Sequence, residues 1–269
     1  MRRGAPLQHI GVGMLTAAAN TLDVQTALGR FREQGFVRLG PMLTEDAALA
    51  LSRRAGRLMQ ERVEGLFYQH DSPSGAYEDL VFNAGWVGPS ACYRKLERLE
   101  LDPLFLAFIE NPLFERLARS ALGEDVRLYR SVLWNKAPER GMAVPWHQDD
   151  GRFWGLTSPP WFQVWTALDD ASAEAGCLEV VPGSHKGGLA TREGGTLTPE
   201  LLERAEREAV KLEARRGECV LVHNHTWHRT GPNRTQAPRR AVSLSFLGPD
   251  ARCARRRRAP RVFRRLFPR

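Results

Sequence analysis

Cysteine is sparse in this chain. Cys92, Cys177, Cys219 and Cys253 are scattered through 269 residues with no CxxC pair. That spacing argues against a disulfide framework or a zinc knot and leaves reduced thiols in a cytoplasm as the simplest reading. Long apolar runs are missing too. No stretch approaches the roughly 18 to 20 apolar residues of a membrane helix, so no membrane span is expected. A mildly apolar run, Ile10 to Ala19, follows Arg2 and Arg3 in the outline of a signal peptide. Gly11 and Gly13 break it, and it lacks a Leu/Val block, so residues 1–22 read as a flexible N-terminal tail. Lysine occurs four times against 35 arginines, a composition bias as much as a selected patch. No internal repeat is present.

What remains is ordinary for a globular chain: 42% apolar and 26% charged residues, enough for one large domain with its own core. The net charge of +8 suggests nucleic acid, but its distribution does not. Residues 252–269 hold nine arginines and no acid. Subtracting them leaves a body close to neutral. The reading is therefore a single domain over residues 23–250 with an Arg-rich, solvated tail over 251–269, and nucleic acid is not the expected partner.

The first part of the chain reads as helical. Val24 to Gln34 is a helix stopped by Gly35, and a short strand follows from Phe36 to Leu39. Thr44 caps a helix that runs to about Arg62, with Glu45 and Asp46 in its first turn. Residues 70–92 are rich in Gly, Ser, Pro and aromatics, as suits a lid or binding loop. Two short helices follow, near 102–110 and 112–121. From Val126 the pattern changes to β-prone runs: Val126–Trp134, Val144–His147, Trp161–Leu168, Cys177–Val181, Cys219–His223 and Ala241–Phe246. Pro199 to Leu212 reads as an inserted helix. The expected fold is α+β with a mainly β core, a double-stranded β-helix or cupin-like jelly roll carrying N-terminal helices.

The chemistry starts at Trp146-His147-Gln148-Asp149. Residues i and i+2 of a strand share a face, so His147 and Asp149 present an imidazole and a carboxylate side by side. One more histidine completes a two-histidine, one-carboxylate triad, which suits iron(II) because it leaves coordination positions open. His223, His225 and His228 are the candidates, ahead of His9, His70 and His185. His228 is preferred because Arg239 follows across the Gly231-Pro232-Asn233 turn. A hairpin there brings a guanidinium to the same cavity, where its planar fork suits a co-substrate carboxylate.

With these residues in hand, the chain resembles the phytanoyl-CoA dioxygenase family of iron(II)/2-oxoglutarate oxygenases. The matching text is Asn135-Lys136, His147-Gln148-Asp149, Val164 to Leu168, Gly176-Cys177-Leu178, Pro182 to Gly187, and Gly217 to His228 followed by Gly231, Asn233 and Arg239. The resemblance spans roughly residues 30 to 247. It implies that His147, Asp149 and His228 ligate iron, and that Arg239, with Thr230 nearby, anchors the distal carboxylate of 2-oxoglutarate. Trp165 is implied as a wall of that pocket and Lys95 as a co-substrate-binding lysine; at Val132 only packing is implied. His185 is a turn residue and Cys177 a core residue. The implied reaction consumes dioxygen and 2-oxoglutarate, releases succinate and carbon dioxide, and hydroxylates a C–H bond. The carboxylate of Asp149 favours hydroxylation over halogenation.

Phe153, Trp154 and Trp161, with Trp86 and Trp227, are expected to line an aromatic entrance, which suits an apolar small molecule or acyl compound. Three other functions compete: a nucleic-acid oxidative demethylase, a cupin-like metal protein without 2-oxoglutarate chemistry, and a catalytically silent binding protein.

Overall fold

The computed structural model describes residues 13–82, 85–152, 154–158, 162–191, 193–255 and 261–268. Its helices begin where the sequence supplies caps. Helix α1 (Ala17–Thr21) opens on Thr16 and α2 (Val24–Gln34) on Asp23, whose side chains accept from the Ala19 and Thr26 amides. Gly35 ends α2 at φ 81°, and a Cβ there would sit 2.4 Å from Thr226 Oγ1, so only glycine fits. Helix α3 (Glu45–Leu58) opens on Thr44. It stops short of Arg62 because the Tyr68 hydroxyl takes the Val63 amide and donates to the Glu61 carbonyl, holding that stretch in a turn. Helices α4 (Pro103–Ile109) and α5 (Pro112–Leu122) begin with proline behind the caps Asp102 and Asn111.

Strands β1 (Phe36–Pro41), β2 (Phe67–His70), β3 (Tyr93–Glu97), β4 (Arg127–Lys136), β6 (Phe162–Ala167), β10 (Glu218–His223) and β12 (Arg239–Leu247) form one antiparallel sheet in the order β1-β10-β6-β12-β4-β3-β2. A second sheet takes β5 (Val144–Gln148), β7 (Leu178–Val180), β8 (Gly195–Thr196), β9 (Val210–Leu212) and β11 (His228–Thr230) in the order β8-β5-β11-β7-β9. The two sheets face each other as a double-stranded β-helix. Period-2 alternation divides the first sheet. Val164, Leu221, Val242 and Leu244 face the helices with Phe108 and Phe114, while Trp165, Val220, Val222 and Ala241 pack towards Leu178 and Val180 of the second sheet and the preceding Cys177.

Strands β2, β3, β8 and β11 are absent from the sequence reading, and two further stretches change character. The inserted helix, α6 (Pro199–Glu208), ends early because Ala209 is extended and Val210–Leu212 pairs with the edge of β7. The C-terminal segment is not wholly a solvated extension. Strand β13 (Arg264–Arg265) pairs with Leu128 and Arg127 of β4, along the half of that edge which β3 leaves open. Phe263, Leu266 and Phe267 are buried there; the surrounding arginines mask this apolar pattern in the sequence. At the other end, Met14 and Leu15 are buried and residues 1–12 lie outside the described ones. Among the described residues no helix is long and apolar enough to cross a membrane.

Candidate active site

Strands β5 and β11 are neighbours, and their register sets His147 opposite His228. The rings lie 4.1 Å apart between centroids. Each Nδ1 meets a carbonyl, Pro145 O at 2.8 Å and Thr226 O at 2.9 Å. Nδ1–H therefore donates in both rings, which leaves each Nε2 lone pair for another partner. Asp149 follows just beyond β5. Its Oδ1 is 3.7 Å from His147 Nε2 and its Oδ2 is 3.5 Å from His228 Nε2. One ligand atom from each residue lies within 4.8 Å of the others, the one such group of three among the described residues.

The segment around Asp149 is zipped to the loop after β10. The Asp149 amide donates to Asn224 O at 2.9 Å, and Asn224 Nδ2 donates back to Asp149 O at 2.8 Å. Gln148 Nε2 donates to His225 O at 2.7 Å, and Asp150 Oδ2 pairs with His225 Nε2 at 2.8 Å. Gln163 of β6 donates to Asp149 Oδ2 and accepts from the Ser245 hydroxyl at 3.0 Å. Burial, with the neighbouring His228, pushes His147 down to about 4. Burial works against the Asp149 charge too, but the hydrogen bond and charge of His228, with His147 and Gln163, outweigh it and hold the carboxyl below its usual range. Two imidazoles turned Nε2-inward beside an ionised carboxylate are a fitting donor set for a divalent metal.

A cavity of about 570 Å³ lies between the sheets and is lined by all three residues. Arg239, at the start of β12, also lines it. Only 1% exposed, it leaves Nε and Nη1 without a hydrogen-bond partner, and burial draws it down to about 10. Buried guanidinium donors are rarely left unmade, so this one fits the carboxylate of a bound acid. Thr230, Trp165, Lys95 and Val132 line the same cavity. Lys95 Nζ is 2.7 Å from Glu97, and burial, with Arg130 nearby, lowers it to about 8. The expected hairpin between His228 and Arg239 is absent: β11 and β12 belong to opposite sheets. Arg239 nevertheless reaches the cavity because the sheets face each other.

The other histidines lie elsewhere. His70 bonds Ser90, His185 meets the Arg32 carbonyl, and His223 and His225 stand beside each other outside the three-residue group. His9, Phe153 and Trp161 lie outside the described residues. Trp154 lines the cavity, stacked on Tyr129. Trp86 and Trp227 do not: Trp86 stacks on Tyr93, and Trp227 packs in the cluster containing Trp146. The 70–92 stretch contributes Tyr77 and Phe82 to the cavity wall. Gln163 escaped the sequence reading, although it shares a strand face with Trp165. Arg130 escaped it as well, although it shares one with Val132 and Trp134.

Two antiparallel sheets around a His-x-Asp…His cluster and a buried arginine define the class, the double-stranded β-helix of the non-haem iron, 2-oxoglutarate-dependent oxygenases. Residues 31–241 match the phytanoyl-CoA dioxygenase (PhyH) family, and the chain belongs to that family. It is 25% identical over 248 residues to a phytanoyl-CoA dioxygenase of Arabidopsis thaliana, covering 82% of this chain and 87% of the relative. It is 32% identical over 251 residues to phytanoyl-CoA dioxygenase 1 of Oryza sativa subsp. japonica, covering 81% and 86%. The fold matches the epimerase SnoN, whose crystal structure holds Fe3+, alpha ketoglutarate and nogalamycin RO, with a TM-score of 0.67 at 20% identity over 86% of this chain and 85% of that one. At that identity the likeness concerns the fold. The protein is thus an iron- and 2-oxoglutarate-dependent dioxygenase.

Proposed function

We propose that His147, Asp149 and His228 hold iron(II), and that Arg239 and Thr230 anchor the distal carboxylate of 2-oxoglutarate in a pocket walled by Trp165 and reached by Lys95. The enzyme hydroxylates an aliphatic C–H bond of a small molecule with an apolar or acyl body. The observation that carries this reading is the unpartnered Arg239 guanidinium in the same cavity as the three clustered ligand atoms.

Iron bound there supplies dioxygen activation coupled to decarboxylation of 2-oxoglutarate to succinate. The chain supplies geometry. The Pro145 and Thr226 carbonyls fix the two imidazole tautomers, and Gln163 with the Asn224 backbone fixes the carboxylate. Arg239 gives the co-substrate one orientation by a bidentate grip. Trp165, Val222 and Leu178 wall the cavity against water, and Val132, Trp134, Trp154 and Phe263 offer the substrate an apolar surface. Asp149 occupies the position a halide needs, which supports hydroxylation.

The competing functions gain no observation. A cupin-like metal protein that takes no carboxylate co-substrate has no use for the bare Arg239 donors. The packing of Phe263, Leu266 and Phe267 against the body argues against residues 261–268 serving as a free nucleic-acid arm.

Anaerobic titration of iron(II) and 2-oxoglutarate into the metal-free protein tests the proposal. The expected result is the weak visible charge-transfer band of iron-chelated 2-oxoglutarate, abolished in His147→Ala and weakened in Arg239→Ala. Metal binding without a band rejects it.

A further inference from the structure

The charge inside the cavity is lopsided. Among the described residues, seven cationic side chains line it against two acidic ones, Glu97 and Asp149. On the reading above, Asp149 is committed to the metal and Arg239 to the co-substrate. Lys95 and Arg130 both turn to one oxygen, Glu97 Oε1, so two cations share one anion. Arg261 lines the cavity from the C-terminal segment. It donates to the Tyr129 carbonyl and lies over the Tyr129 and Phe263 rings, 5.3 Å from each centroid. All of these partners are neutral. Arg255, from the same segment, lines the cavity across Gly155, where an added Cβ would lie 2.4 Å from Arg255 Nε.

These cations are placed for a second anion. Ser245 of β12 is flanked by Arg130 on β4 and by Gln163 on β6. Arg130 therefore starts two strand spacings, about 10 Å, from the residue that orients Asp149. Arg239 lies six residues back along β12, about 20 Å of strand, at the other end of the cavity. One small dicarboxylate held at Arg239 and the metal does not also neutralise Arg130 and Arg261.

We infer that the primary substrate carries a carboxylate or phosphate group, bound by Arg130 and Arg261 with Arg255 beside them. Arg255, Arg261 and Phe263 then form part of the wall of the substrate site. This rests on the proposed oxygenase reading and refines its substrate to an amphipathic anion small enough to be enclosed. The apolar body runs along Trp154 and Val132 towards the metal, and the carbon oxidised stands several bonds from the anionic group. The guanidinium forks suit either oxyanion.

The test uses full-length enzyme loaded anaerobically with iron(II) and 2-oxoglutarate. Binding of octanoate, octyl phosphate and octanamide is followed by calorimetry and by the fluorescence of Trp154, whose ring lies 5.3 Å from the Arg130 guanidinium carbon. At least one of the two anions is expected to bind ten-fold or more tightly than the amide, and the tighter of the two names the oxyanion. Arg261→Gln is expected to remove that preference by weakening the anion alone. Arg265→Gln, on the same segment but 69% exposed, is expected to keep it. Equal affinity for anion and amide, no anion binding below about 10 mM, or an undiminished preference in Arg261→Gln overturns the inference. The charge-transfer band is read on the same samples. A band without anion preference rejects this inference alone, whereas a missing band rejects the oxygenase reading.

Discussion

Arg239→Met separates a ligand-holding arginine from a structural one. Arg239 is 1% exposed, with Nε and Nη1 unpartnered. Each unmade buried donor costs about 1–3 kcal/mol, and more when charged. Two of them burden the ligand-free protein by about 2–6 kcal/mol. Methionine has similar reach and no donor, and a volume-conserving change costs under about 1.5 kcal/mol. The ligand-free variant should therefore be more stable than the wild type by about 0.5–6 kcal/mol, a Tm rise of roughly 2 °C per kcal/mol for a chain of this size. The co-substrate acts in the opposite direction, stabilising the wild type more than the variant. Two charge-assisted hydrogen bonds contribute about 1.5–3 kcal/mol each, so 2-oxoglutarate should bind at least about 100-fold more weakly to the variant. At 2-oxoglutarate near 100 times its wild-type Kd, the wild type gains about 2.7 kcal/mol and the variant little. Thermal unfolding with manganese(II) in place of iron, with and without 2-oxoglutarate, reads both effects. A variant that is less stable without ligand and keeps the full 2-oxoglutarate shift would make Arg239 a structural prop and refute the reasoning.

Gln163→Leu removes the donor that orients Asp149 and should weaken metal binding about 10- to 100-fold with the fold intact; calorimetric manganese titration measures it, and unchanged affinity would remove Gln163 from the site. Gly35→Ala sets a side chain at φ 81° and 2.4 Å from Thr226 Oγ1. The backbone strain alone is about 1–3 kcal/mol, so the urea midpoint should fall clearly, and an unshifted midpoint contradicts the packing. Glu97→Gln strips Lys95 and Arg130 of their shared anion and should cost about 3–5 kcal/mol. Burial raises the Glu97 carboxyl, but Arg130 and Lys95 outweigh it and hold it near about 2 against an ordinary 4.5. Its stabilisation is then complete above 4.5 and lost as pH falls through about 2. Wild-type stability should drop across that window more steeply than that of the variant, and equal slopes would contradict the assignment.

Much of the fold was legible because local chemistry and tertiary packing agree. Asp23, Thr44, Asp102 and Asn111 cap the helices they open, and Gly35 stops α2 because nothing larger fits under Thr226. His147 and Asp149 share a face by period 2, and that periodicity needs no knowledge of the partner strand. The illegible parts depend on pairing across the chain. Val210–Leu212 continues an acceptable helical pattern and becomes a strand only because β7 offers an open edge. Arg239 was expected through a hairpin, yet it arrives from the opposite sheet. Trp86 and Trp227 pack away from the cavity; composition does not tell which face of a fold an aromatic covers.

The C-terminal segment shows why composition misleads most where charge is densest. Nine arginines in residues 252–269 read as a solvated arm, but Phe263, Leu266 and Phe267 are spaced among them and are buried. A short strand needs only a few apolar side chains and a free edge, and β4 leaves one beside Arg127 and Leu128. Once that edge is paired, Arg261 is carried onto Tyr129 at the cavity wall. The apolar residues thus decide where the segment goes, and the arginines decide what it can bind there. Charge counted over the whole chain cannot separate these two effects, whereas strand register does.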